Sequence, residues 1–209
     1  MNNCYLDAEA VITFFRMAGR KHIFITGSRG SGKSHLVNNM LKHMSDSFNL
    51  LQSHRTDTPQ VVIKSNLVAD NKEFVIGVPR TSGINPASKG NNMTIIEDGF
   101  INCAIPAIDT HLDTTPERLF VIDELGYLES SCIPFQKAVE KLLDNSHVLA
   151  VIRKQSTEFL NRICNRRDVL VIDIDKTFET LSCIIMASGM SKRFGSNKLI
   201  ADFNGLLSF

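Results

Sequence analysis

The 209-residue sequence lacks an excess of charge of either sign: 23 Lys and Arg stand against 22 Asp and Glu, a formal net charge of +1. That balance removes any global electrostatic case for binding nucleic acid or an anionic membrane surface. Paired cysteines are also lacking. The five, Cys4, Cys103, Cys132, Cys164 and Cys183, are odd in number and form neither a C-x-x-C motif nor a metal-ligand cluster with the six histidines. They read as reduced thiols, mostly small core fillers, in a cytoplasmic protein. No segment approaches the ~18 uncharged apolar residues of a membrane span. At the N-terminus, acidic Asp7 and Glu9 precede the apolar run Val11–Phe15 and Arg16 follows it, the reverse of a secretory charge order. The motif N-K-x-D is absent as well, since Asn71-Lys72-Glu73-Phe74 fails it, which argues against a guanine-specific switch GTPase.

What the sequence does carry is Gly27-Ser28-Arg29-Gly30-Ser31-Gly32-Lys33-Ser34, a match to the phosphate-binding pattern G-x-x-x-x-G-K-[ST] at every fixed position. At ordinary residue frequencies a random chain of this length shows that pattern at well under about 1 % odds. Its context fits too: β-rich Lys21–Thr26 leads in, and Leu36, Val37, Met40, Leu41 and Met44 mark one stripe of a following helix. Glycines let backbone amides approach a polyphosphate closely. Lys33 then reaches the β and γ oxygens, and the Ser34 hydroxyl is positioned as a ligand of Mg²⁺.

Leu119-Phe120-Val121-Ile122-Asp123-Glu124 is the second informative stretch. Four bulky apolar residues read as a strand buried on both faces, and ligands sit at the carboxyl ends of such strands. Asp123 is therefore expected to hold Mg²⁺, through water, and Glu124 to orient and polarise an attacking water. A core strand that merely ends in two solvated carboxylates is the plain alternative. Arg153 and Lys154 close another buried strand, Val148–Ile152, and emerge at the same sheet edge if that strand is parallel, so that either is a candidate for sensing the γ-phosphate or simply a solvated strand end. Arg162, Arg166 and Arg167 read as a solvated basic face rather than an arginine finger.

The rest of the chain alternates. Met1–Gly19 suits an amphipathic helix beside the first strand. Gln60–Lys64 and Phe74–Val78 read as strands, Pro79–Asn92 as a long exposed loop, and Ile101–Ile108 as an edge or irregular segment because of Pro106. Pro134 opens a helix striped by Phe135, Ala138, Val139, Leu142 and Leu143, Thr157–Cys164 reads as a short helix, and Val169–Ile174 as a strand. The expected architecture is α/β, a doubly wound, mainly parallel sheet with the nucleotide at its carboxyl edge.

The order of glycine loop, Val121–Glu129, Val148–Lys154 and Arg167-Asp168-Val169 resembles the small nucleoside-triphosphatases of thermophiles, known in vertebrates as cancer-related nucleoside-triphosphatase. The resemblance spans most of residues 20–180. It implies a RecA-like P-loop NTPase fold over residues 1–180 and slow hydrolysis of several NTPs to NDP and phosphate. Gly27–Ser34, Asp123 and Glu124 match residue by residue, whereas Pro79–Arg118 departs from the family pattern and carries over no base contacts. Because Glu124 favours water as acceptor, hydrolysis ranks above a P-loop kinase acting on a small acceptor and above a nucleotide-binding adaptor.

Residues 181–209 resemble something else. Cys183–Leu199, with Ala187, Gly189, Ser191, Arg193, Gly195 and Lys198 in the pattern A-x-G-x-S-x-R-[FM]-G-x-x-K, is similar to the opening strand and signature loop of MobA-like molybdenum cofactor nucleotidyltransferases. The Lys-Pro that usually follows Asn-Gly in that family is replaced here by Leu206-Leu207. The expectation is an incomplete strand-and-loop remnant without activity of its own, belonging to a truncated or frame-shifted fusion, with a link to molybdenum cofactor maturation.

Overall fold

A computed structural model describes residues 7–44, 47–80 and 93–176, and the backbone of 202–203 and 206–207. It divides into two units, residues 1–175 and 176–209. In the second, Asp202–Phe203 and Leu206–Leu207 form a two-residue antiparallel ladder. The proposed signature strand and loop, Cys183–Leu199, lie outside the described residues, as do 81–92 of the expected long loop.

The first unit runs α1 (Ala8–Ala18), β1 (His22–Gly27), α2 (Lys33–Met44), β2 (Phe48–Arg55), β3 (Val61–Ser65), β4 (Phe74–Pro79) and β5 (Met93–Ile95). It continues with α3 (Glu97–Gly99), a π-turn over Phe100–Ala104, α4 (Ile105–Thr114), β6 (Leu119–Leu125), α5 (Ile133–Asn145), β7 (His147–Arg153), α6 (Glu158–Cys164) and β8 (Val169–Asp173). The eight strands form one sheet in the order β5-β4-β3-β2-β6-β7-β1-β8. From β2 to β8 all neighbours are parallel. The remaining pairs, β2 with β3, β3 with β4 and β4 with β5, are antiparallel.

Strand periodicity assigns the two faces. Phe24, Phe120, Ile122, Val148, Ala150 and Ile152 point to one side and pack with Ile108, Phe135, Val139, Leu142, Phe159 and Ile163 from the α4, α5 and α6 layer. Their immediate neighbours Ile23, Ile25, Val121, Leu149 and Val151 face the other side, against Val11 and Ile12 of α1 and Leu36, Val37, Met40 and Leu41 of α2. A strand covered on both faces has no use for alternation in polarity, hence the continuous apolar runs of β1, β6 and β7.

Two expectations change, and one strand is added. Phe48–Arg55 is a strand at the heart of the sheet, concealed in the sequence by Asn49, Gln52, Ser53 and His54. The strands over Gln60–Lys64 and Phe74–Val78 exist as β3 and β4 but extend the sheet antiparallel. Ile101–Ile108 is helical, not an edge: Pro106 lies in the first turn of α4, directly after a π-turn. The widened turn gives the ring room and asks no N–H of it.

Candidate active site

The phosphate loop leaves β1 at Gly27 and enters α2 at Lys33. Gly30 and Gly32 take φ of +78° and +94°, left-handed conformations that strain any side-chain-bearing residue. Lys33 bends back over the loop, its Nζ donating to the carbonyls of Gly27 at 2.8 Å and Ser28 at 2.7 Å. Ser31 Oγ donates to the same Ser28 carbonyl at 2.7 Å. Ser34 is exposed in the first turn of α2.

A carboxylate from the far end of the unit braces this loop. Past β8, the Ile174 amide donates to the Thr26 carbonyl at 2.9 Å, bringing Asp175 alongside. Its carboxylate accepts from the Ser28 amide at 2.7 Å and the Ser28 hydroxyl at 2.8 Å. Lys154 Nζ lies 2.9 Å from Asp175 Oδ2 and 3.0 Å from Asp173 Oδ2. The Lys154 ammonium and the Ser28 donors hold the Asp175 carboxyl down at about 2. Lys154, one of the two sensor candidates, is thus committed to two aspartates.

β7 lies between β1 and β6, so the phosphate loop and the Asp123-Glu124 pair leave the same sheet edge one strand apart. Asp123 accepts from Gln52 Nε2 at 2.9 Å, across the parallel register that pairs the two residues. Just beyond Ile122 the ladder to β7 breaks: Ile122 faces Ala150, yet Leu125 faces Ile152, so β6 carries one residue more than its partner. Glu124 absorbs that bulge with φ of +86°, a conformation costing about 1–3 kcal/mol that recurs at functional sites. Its carboxylate is ion-paired with Arg153, whose guanidinium also stands 5.9 Å from the centre of the Tyr127 ring.

Behind this pair, Glu129 is buried. Its carboxylate accepts from the Gly126 amide at 2.9 Å and from Ser53 Oγ at 3.3 Å. Burial pushes its carboxyl up to about 7, against the pull of the Glu129 and Gly126 amides. A small cleft of about 70 Å³ opens here, lined by Ser53, His54, Arg55, Glu124, Glu129 and Arg153.

Two of the three clustered arginines are held in ion pairs. Arg162 pairs with Glu140 and Glu158, Arg166 with Asp144 and Asp168, and the Arg20 side chain caps the Arg167 carbonyl.

Among the described residues no group of three or more His, Cys, Asp and Glu side chains forms a metal cage. Ser34 and Asp123 supply hard oxygen donors of the kind Mg²⁺ takes, and Mg²⁺ is commonly held by one or two such groups plus substrate phosphates. The donor set fits that ion.

A family model described as NTPase matches residues 22–180, from the first residue of β1 past the end of β8. The chain belongs to this NTPase family. The nucleoside-triphosphatase THEP1 of Thermotoga sp. (strain RQ2) is 26% identical over 156 residues, which is 74% of this chain and 86% of that protein. THEP1 of Thermotoga maritima is 23% identical over 155 residues, with coverage of 74% and 86%. Two solved structures share the fold. THEP1 from the hyperthermophile Aquifex aeolicus has a TM-score of 0.59 at 17% identity, over 77% of this chain and 93% of that one. A human cancer-related nucleoside triphosphatase has a TM-score of 0.55 at 19% identity, over 76% and 90%. The match to the NTPase family takes in the phosphate loop, Asp123-Glu124, Arg153-Lys154 and the Asp175 brace, and ends before the signature-like segment at 181–209.

Four residues of the site escape a reading of the sequence alone. Gln52 sits on the unrecognised β2, Asp175 reaches Ser28 across 147 positions, Asp173 shares its lysine, and Glu129 acquires its character only from burial. For the first three the signal is strand order, which periodicity does not encode.

Proposed function

We propose that the protein hydrolyses nucleoside triphosphates to NDP and phosphate, with Mg²⁺ and with little preference among bases. The observation that carries this is Glu124: a carboxylate turned by a bulge at the carboxyl end of β6, one strand from the phosphate loop. Loop amides and Lys33 bind the triphosphate, with Lys33 exchanging its two loop carbonyls for β and γ oxygens. Ser34 and Asp123 would hold Mg²⁺, whose bound form supplies charge neutralisation on the β and γ oxygens. Gln52 fixes the Asp123 carboxylate. Glu124 orients a water whose oxygen bonds to the γ-phosphorus while the bridge to the β-phosphate breaks, and takes up the proton released. Low base selectivity follows from contacts that are all to phosphate.

In this reading the enzyme works in the cytoplasm. The signature-like residues 181–209 suggest a link to molybdenum cofactor maturation but take no part in hydrolysis, and nucleotidyl transfer is assigned to no residue here. The test is phosphate release measured with and without small-molecule acceptors. Release in buffer alone, unchanged by acceptors, supports hydrolysis; release or transfer that requires an acceptor identifies a kinase instead.

A further inference from the structure

Arg153 is the last residue of β7, the strand between the phosphate loop and the Asp123-Glu124 pair. Its Cα is in register with Gly27, the first residue of the loop, and the residue before it pairs with Leu125, directly after Glu124. Its guanidinium ends on the Glu124 carboxylate. Of the two basic residues at this strand end, Lys154 is tied to Asp173 and Asp175, which leaves Arg153 as the cation with a single carboxylate partner in the described structure.

We propose that Arg153 is a γ-phosphate-responsive positioning residue: it occupies Glu124 while no triphosphate is bound, and moves to the γ-phosphate when one arrives, releasing Glu124 to receive the water. The inference rests on the NTPase reading above. Three observations support it. First, Arg153 is ion-paired with Glu124, so the guanidinium sets where that carboxylate points, and its withdrawal leaves the carboxylate free to turn toward a water.

Second, the pair is easily exchanged. Arg153 and Glu124 side chains are 45% and 37% exposed, and pairs so placed hold weakly. A γ-phosphate offers more charge than one carboxylate and three terminal oxygens, any two of which can take the guanidinium fork. Third, Arg153 lines both clefts at this edge, the small one beside Glu129 and a larger one of about 320 Å³ that also takes in Thr26, Lys154 and Val171. A swing of the guanidinium therefore has space on either side. The guanidinium stands 5.9 Å from the Tyr127 ring centre, at the edge of cation–π range, so that contact holds it only weakly.

The test is calorimetric binding to the full chain in Mg²⁺, comparing the non-hydrolysable β,γ-imido analogue of ATP with ADP. Arg153→Ala should leave ADP affinity within about twofold and weaken the analogue by on the order of tenfold or more, the worth of a lost charge-assisted hydrogen bond. Arg153→Lys, which keeps the charge without the fork, should fall between. Glu124→Gln should tighten the analogue by roughly two- to fivefold with no change for ADP, because the competing partner has lost its charge. In the double variant Arg153→Ala/Glu124→Gln that gain should vanish. Equal loss of both ligands in Arg153→Ala and Arg153→Lys, or a Glu124→Gln gain that survives in the double variant, overturns the proposal. These readouts use a ligand that is not turned over. Absence of phosphate release by the wild type would instead sink the hydrolase reading and leave the binding ratios interpretable.

Discussion

Lys33 illustrates how far a single residue can be read. The motif assigns the loop's one motif cation to the β and γ phosphates, and in the structure the same ammonium donates to two loop carbonyls. Lys33→Ala should abolish Mg-NTP binding in calorimetry; undiminished affinity contradicts the site. Glu129 is the opposite case, since nothing about Glu in a Gly-Tyr-Leu-Glu turn announces a buried carboxyl. With its pKa raised from 4.5 to about 7, the folded chain holds a proton through that window that the unfolded chain has released. The group thus stabilises the fold fully at the low end and loses its contribution as pH rises through about 7. Relative to Glu129→Gln, wild-type stability in urea unfolding should fall by about 2 kcal/mol between pH values of roughly 5.5 and 8. A flat difference would mean that Glu129 is ionised in the fold throughout. The loop residues and Asp123-Glu124 were legible because their chemistry demands fixed local spacing. Gln52, Asp173 and Asp175 were not, because their partners are set by which strands lie side by side.

Elements with one dominant period were legible for a related reason. The apolar runs of β1, β6 and β7 and the stripes of α2 and α5 each satisfy a burial requirement that leaves a pattern. β2 hides because its polar residues serve the site and its surroundings: Asn49 reaches His111 and Thr115, Gln52 holds Asp123, and Ser53 donates to Glu129. The helical segment from Glu97 to Thr114 hides behind Pro106, which the π-turn accommodates. That segment's entry depends on Gly99, where an added Cβ would lie 2.3 Å from the Val75 carbonyl oxygen in β4. The nearest obstacle is the Val75 backbone of a paired strand, which cannot swing aside as a side-chain end can. Gly99→Ala should therefore destabilise the fold by about 1–3 kcal/mol, read as a lower denaturation midpoint. A change within about 0.5 kcal/mol would show that α3 is free to move off the sheet.

At the scale of the molecule, five parallel strands carry the phosphate loop, Arg153 and the Asp123-Glu124 pair to one edge, and three antiparallel strands extend the sheet beyond β2. Every assigned ligand contact on that edge is to phosphate or metal. ATP, GTP, CTP and UTP should then be hydrolysed with kcat/KM values inside roughly 100-fold of one another, since a wider spread, above about 2.7 kcal/mol, requires polar contacts to the base. If Glu124 turns a bound triphosphate over to water, Mg²⁺-dependent phosphate release from NTP, with the nucleotide product identified, must separate the wild type from Glu124→Gln. The wild type should yield NDP and phosphate in equal amounts, and turnover should be lower by roughly 10²–10⁴ in the variant while it still binds the triphosphate. Equal turnover by the two proteins would contradict that role of Glu124.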